Sequence, residues 1–103
     1  MKIYDKLVRD LIPEVIEKNG QTCVYRQLSN EEFLAYAEKK LDEELLEYHS
    51  DKTVEELADL LEVVYAIVEA KGVSLEKFEE IRLKKLEKRG GFSKKLLLES
   101  VEG

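Results

Sequence analysis

The sequence predicts an all-α protein, an antiparallel bundle of about four helices with short extended segments towards either end. Three observations carry that reading. One proline and five glycines interrupt 103 residues, of which 44% are hydrophobic and 39% charged, a balance that favours a helix-rich folded chain over disorder. Helix-start signals recur at Ser29-x-x-Glu32, Thr53-x-x-Glu56 and Ser74. Behind the first two, apolar residues return at helical spacing: Phe33, Ala37, Leu41, Leu45 and Tyr48, then Leu57, Leu60, Val63, Val64, Ile67 and Val68.

Residues 1–9 read as extended or irregular and carry Lys6 and Arg9. Asp10 is placed to cap a short helix with Pro13 in its first turn, and Asn19-Gly20 is a stop signal. Residues 22–28, TCVYRQL, are β-prone and read as a short strand or extended segment. A long helix is predicted from about Asn30 to His49. The turn over residues 49–52 is short, so the next helix folds back antiparallel, opened by Thr53 and closed by Lys71-Gly72. Ser74 caps a fourth helix, from about Leu75 to Lys88, that stops at Gly90-Gly91. Residues 92–99, FSKKLLLE, read as extended. With no linker, repeat or low-complexity stretch, residues 1–103 are expected to form one domain. A chain this short buries a modest core, so self-association is expected.

The formal net charge of −6 argues against a nucleic-acid binder. The charge is uneven: Arg82, Lys84, Lys85, Lys88, Arg89, Lys94 and Lys95 crowd the last quarter, and the acids concentrate in the middle. Cys23 is the only cysteine, which excludes an internal disulfide and fits a reducing compartment. The opening residues are charged, and no run approaches 18 apolar residues, so a cytoplasmic protein without membrane spans is expected. Cys23 and His49 have no catalytic neighbours in sequence and read as structural.

Four carboxylates stand out. Glu44 and Glu47 are three apart on the long helix, and Glu56 and Asp59 are three apart on the next. At about 100° per residue, Glu44 and Glu56 fall inside the apolar arcs, and Glu47 and Asp59 lie at their edges. Packing those arcs together brings four acids to one interface. A buried carboxylate there must be protonated, paired with a base or bound to a metal, and oxygen-only ligands suit Mg²⁺ or Mn²⁺. The ordinary alternative is a solvated carboxylate, or Glu56 bonding back to the helix start as a capping box. On the fourth helix, Phe78, Arg82, Lys85 and Arg89 share one side, a pattern that suits a phosphate clamp or a solvated face paired with Glu79 and Glu80.

Glu43-Glu44-x-x-Glu47 followed by Glu56-x-x-Asp59 resembles the signature of the all-α nucleoside triphosphate pyrophosphatases, the superfamily of MazG and phosphoribosyl-ATP pyrophosphohydrolase. The stretches KLVRDLIPEVIEKNG (residues 6–20) and KRGGF (residues 88–92) are similar to its MazG-like, phosphoribosyl-ATP pyrophosphohydrolase-like branch. Eight residues separate Glu47 from Glu56, fewer than is usual there. The resemblance implies a helical bundle assembled as a homodimer or homotetramer. It also implies Mg²⁺-dependent hydrolysis of a nucleotide between its α- and β-phosphates, with metal ligands at Glu44, Glu47, Glu56 and Asp59.

On that reading, Glu47, or else Glu43, orients or deprotonates the attacking water. Arg82, Lys85 and Arg89, with Lys6 and Arg9, hold phosphates, and Mn²⁺ is a substitute metal. A house-cleaning role on non-canonical nucleotides would fit. The competing reading is a non-catalytic helical module that binds a nucleotide or a protein partner. A carboxylate-bridged di-iron bundle ranks last, because such sites normally include Glu-x-x-His pairs and this chain has none.

Overall fold

The computed structural model describes residues 2–103 and contains four helices: α1 (Ile12–Lys18), α2 (Asn30–Asp51), α3 (Val54–Ala70) and α4 (Leu75–Arg89). The all-α class expected from the sequence holds, with no strand among the described residues. No helix among them is long and apolar enough to cross a membrane.

The α2–α3 hairpin is the packed part of the molecule. Ser29 and Glu32 close a reciprocal capping box: Ser29 Oγ accepts from the Glu32 N–H, and Glu32 Oε1 accepts from the Ser29 N–H, both at 3.2 Å. At the far end α2 runs two residues past the expected His49. Lys52 alone makes the reversal, in the left-handed conformation (φ 59°), with its N–H donating to the Tyr48 carbonyl at 2.7 Å. Thr53 caps α3 directly after it. The antiparallel partners meet again where the Asn30 side-chain amide donates to the Ala70 carbonyl at 3.0 Å.

The other elements attach loosely. Helix α1 starts at Leu11 with no side-chain cap; the expected cap, Asp10, lies in a turn closed by the Ile12 N–H and the Arg9 carbonyl (3.0 Å). That turn takes the place of the extended entry a capping side chain needs. The β-prone residues 22–28 form no strand, because the helices offer no edge to pair with. Instead Cys23 Sγ donates to the Pro13 carbonyl at 4.0 Å, and Arg26 forks onto Glu32. Helix α4 is capped by Ser74 and meets α3 where the Phe78 and Tyr65 rings stand edge to face, 6.3 Å apart; it does not touch α2. It ends at Gly90, whose φ of 80° and ψ of 177° only glycine adopts freely. Residues 92–103 make one turn, from the Phe92 carbonyl to the Lys95 N–H, and then run on without regular structure.

Very little is buried. Among the described residues only Ala37, Ile67 and Glu44 are, while Leu45 and Leu57 of the expected apolar arcs remain exposed. The radius of gyration is 18.2 Å, against about 13 Å for a compact chain of this length. The accessible surface is 9464 Å², against about 6,000 Å² for a folded monomer of this mass.

Candidate metal centre

The hairpin brings Glu44 of α2 against Glu56 and Asp59 of α3. One carboxylate oxygen from each lies within 4.8 Å of the other two. The helical pattern explains the meeting: Glu44 and Glu56 sit inside the arcs that the helices turn towards each other. Glu44 is 7% exposed, one of the few buried residues in the chain. Its Oε2 and the Oε2 of Glu56 are buried and have no hydrogen-bond partner. Thr53 Oγ1 accepts from the Glu56 N–H at 3.4 Å, but the Glu56 carboxylate does not bond back to the helix start, so the capping box is incomplete.

Burial, and next the charge of Glu47, pushes the Glu44 carboxyl above the usual carboxylate range. Glu56 is raised in the same way by burial, with Glu47, Asp51 and Asp59 adding to it. Glu47 is exposed and stands beside the trio, acting on both by its charge. Three of the four expected metal ligands therefore converge and the fourth flanks them.

Cations ring the cluster. Lys40, only 15% exposed, lies 3.5 Å from Glu44 Oε1 and 3.2 Å from Glu43 Oε2. Lys6 reaches Glu43 Oε1 at 3.0 Å, and Arg9 reaches Asp59 Oδ1 at 2.8 Å. Burial works against ionisation of Glu43, and the bonds from Lys6 and Lys40 outweigh it, holding the carboxyl below its usual range. Lys40 was not among the residues the sequence singled out. Its signal was present, since it lies four residues before Glu44 and so on the same helix face. A cavity of about 70 Å³ opens beside these groups, lined by Lys6, Tyr36, Lys39, Lys40 and Glu43 among others.

The basic stripe of α4 lies elsewhere. Arg82 is paired with Glu79 on its own helix, with Nε at 3.1 Å from the carboxylate. Lys85 is exposed, and Arg89 lines a separate cavity of about 460 Å³ with Gly90, Gly91, Phe92, Lys94 and Lys95. Within one chain, then, Lys6 and Arg9 reach the carboxylates, and Arg82, Lys85 and Arg89 are not paired with them.

No family model matches the chain, and no solved structure matches it. An uncharacterized protein of Mycolicibacterium smegmatis is 48% identical over 48 residues, covering 47% of this chain and 49% of the relative. The chain thus spans about half the length of the curated relative it matches.

Proposed function

We propose that the chain is a Mg²⁺-dependent nucleotide pyrophosphohydrolase, cleaving a nucleoside triphosphate or a related nucleotide between its α- and β-phosphates. The observation that carries this reading is the pair of dry carboxylate oxygens, Glu44 Oε2 and Glu56 Oε2, without a donor between them. Leaving two such acceptors unmatched is costly, and an all-oxygen donor set from Glu44, Glu56 and Asp59 suits a hard divalent cation. A cation held there would neutralise polyphosphate charge and acidify a water.

The chain's own residues divide the remaining work. Glu47 is exposed beside the trio, and on this reading it would take the water's proton. Glu43 is a poor base, because Lys6 and Lys40 occupy its oxygens and hold its proton affinity down. It serves to position those lysines at the small cavity, where Lys6, Lys39 and Lys40 would seat phosphoryl oxygens. A house-cleaning role in the cytoplasm accords with this activity.

A second reading, a non-catalytic module binding a nucleotide or a protein, is favoured by one observation. Lys40 and Arg9 already neutralise part of the cluster. Turnover separates the two. Pyrophosphate release from a panel of canonical and modified nucleotides, dependent on Mg²⁺ or Mn²⁺ and lost in Glu44→Gln, is the expected result. Metal and nucleotide binding without release from any substrate would favour the module.

A further inference from the structure

Of the seventeen lysines and arginines, Lys40 is the only one that is not exposed. An ammonium drawn out of water needs partners, and Lys40 has two of unequal closeness. It donates to Glu43 Oε2 at 3.2 Å and stands farther from Glu44 Oε1, at 3.5 Å. Glu43 is fully served, since one of its oxygens accepts from Lys6 and the other from Lys40. Glu44 is not: its Oε2 is buried and has no donor. The most buried carboxylate of the hairpin therefore rests on the longer half of a shared ion pair.

Lys40 also lines the cavity of about 70 Å³, together with Lys6 and Lys39. The other two lysines are held on that side, Lys39 over the Tyr36 ring at 5.1 Å and Lys6 on Glu43 at 3.0 Å. Lys40 alone of the three pairs with a member of the Glu44, Glu56, Asp59 trio. Its ammonium thus stands between an acidic cluster and a lysine-lined hollow. A divalent cation and an ammonium leaning on the same Glu44 carboxylate would repel each other strongly in so dry a place. The stem of Lys40 is flexible, so its head can turn while the backbone of α2 stays as it is.

We propose that Lys40 is an exchangeable counter-ion that couples the two sites: a divalent cation arriving at the trio takes its place on Glu44, and the released ammonium, still tethered by Glu43, turns into the cavity and strengthens its hold on a tetrahedral oxyanion of the phosphate and sulfate class. The coupling is reciprocal, so an anion that draws Lys40 off Glu44 tightens the metal by the same factor. Lys40 is a positioning residue in this account, acting on the metal through Glu44. The inference rests on the reading of the trio as a metal centre, and it holds whether or not the bound anion is then hydrolysed.

Two measurements on the full-length chain test it. The first is calorimetric titration with sulfate, in chelator and again with saturating Mg²⁺. Wild type should bind sulfate on the order of tenfold more tightly with Mg²⁺ present. In Lys40→Met that gain should shrink to about twofold or less, the residue of plain charge attraction across the site. Lys39→Met should weaken sulfate in both conditions and keep the gain. An equal gain in wild type and Lys40→Met, or its loss in Lys39→Met as well, would overturn the proposal. The second measurement needs no variant that alters the site's charge. In ¹³C-lysine-labelled wild type the Lys40 Cε resonance, identified by its loss in Lys40→Arg, should shift on addition of Mg²⁺ alone. Mg²⁺ that binds and leaves this resonance in place would overturn the exchange while sparing the metal centre. Absence of Mg²⁺ binding would overturn both. Coupling without pyrophosphate release from any nucleotide would support the exchange and remove the hydrolytic reading alone.

Discussion

Ser29 and Ser74 cap α2 and α4 through the same kind of side-chain bond, yet the two helices meet different fates. Helix α2 is matched by α3 from the Asn30–Ala70 bond at one end to the Lys52 turn at the other. Helix α4 meets α3 where Phe78 edges onto Tyr65, and then continues into solvent. Local signals are equally good in both; what differs is whether an apolar face finds cover. The comparison also separates the charges. Where the chain is dry it has buried a carboxylate, and where it is wet it has gathered cations. A buried acid among so few buried residues is costly for folding, and on the proposed reading that cost is the reason to look for function in the hairpin.

The sharpest way to break this contrast is Glu44→Gln. If the hairpin holds the reactive centre, pyrophosphate release should fall by at least about a hundredfold, as loss of a metal ligand or its support commonly does. Helix content should stay level, because Gln fits the same space. Arg89→Gln, at the end of α4 and in a separate cavity, should change release far less. Equal losses in the two variants would erase the distinction between the hairpin and α4.

A smaller effect concerns protection of the backbone. Amides of α4 beyond Arg82 should exchange on the order of tenfold faster or more than those at the centre of α2 and α3, as local opening is easier where a helix is uncovered. Equal exchange across all helices would mean that the hairpin has no stability of its own.

Next comes the acidity of the cluster, measured in chelator. The Glu44 carboxyl lies above its usual range in the folded chain, so the unfolded chain ionises first as pH rises. Wild-type stability should therefore fall from about pH 4.3, the ordinary Glu value, upward through the raised folded one. Glu44→Gln removes that loss. It should be more stable than the wild type by about 1–3 kcal/mol at pH 7, the cost of an unmatched buried group, and nearly equal to it in acid. Glu43 shifts the other way and loses its contribution as pH falls, but it is common to both proteins and drops out of the difference. A variant less stable than the wild type at neutral pH would show that Lys40 already compensates Glu44.

The helices were legible because their caps and stops are local. Ser29, Thr53 and Ser74 open α2, α3 and α4 as the sequence implies, and the predicted ends of α2 and α4 differ by two residues and one. Asp10 is of a capping type and yet caps nothing, because capping depends on how the chain arrives, and a turn at Arg9–Ile12 brings it in differently. The convergence of Glu44, Glu56 and Asp59 followed from helical period alone, since two facing arcs fix which side chains meet. Lys40 was not legible, because an i to i+4 ion pair looks the same in sequence whether solvated or buried. The exposure of Leu45 and Leu57 was also hidden: periodicity tells which face is apolar, and not whether anything covers it.

The smallest predicted effect tests the arm that crosses the hairpin. Arg9 is half exposed and 2.8 Å from Asp59, so its guanidinium occupies a carboxylate that a cation would also use. Exposed pairs of this kind contribute about 0.2–1 kcal/mol. Arg9→Gln should therefore tighten Mg²⁺ binding by no more than about fivefold in calorimetry without nucleotide. With nucleotide present the sign should reverse, because Arg9 would then face phosphate oxygens and its removal weakens the complex. That reversal is the discriminating feature. A residue that only screens the acids would help metal binding in both conditions when removed, whereas one that hands Asp59 to the metal and turns to the phosphates must help in one and hurt in the other.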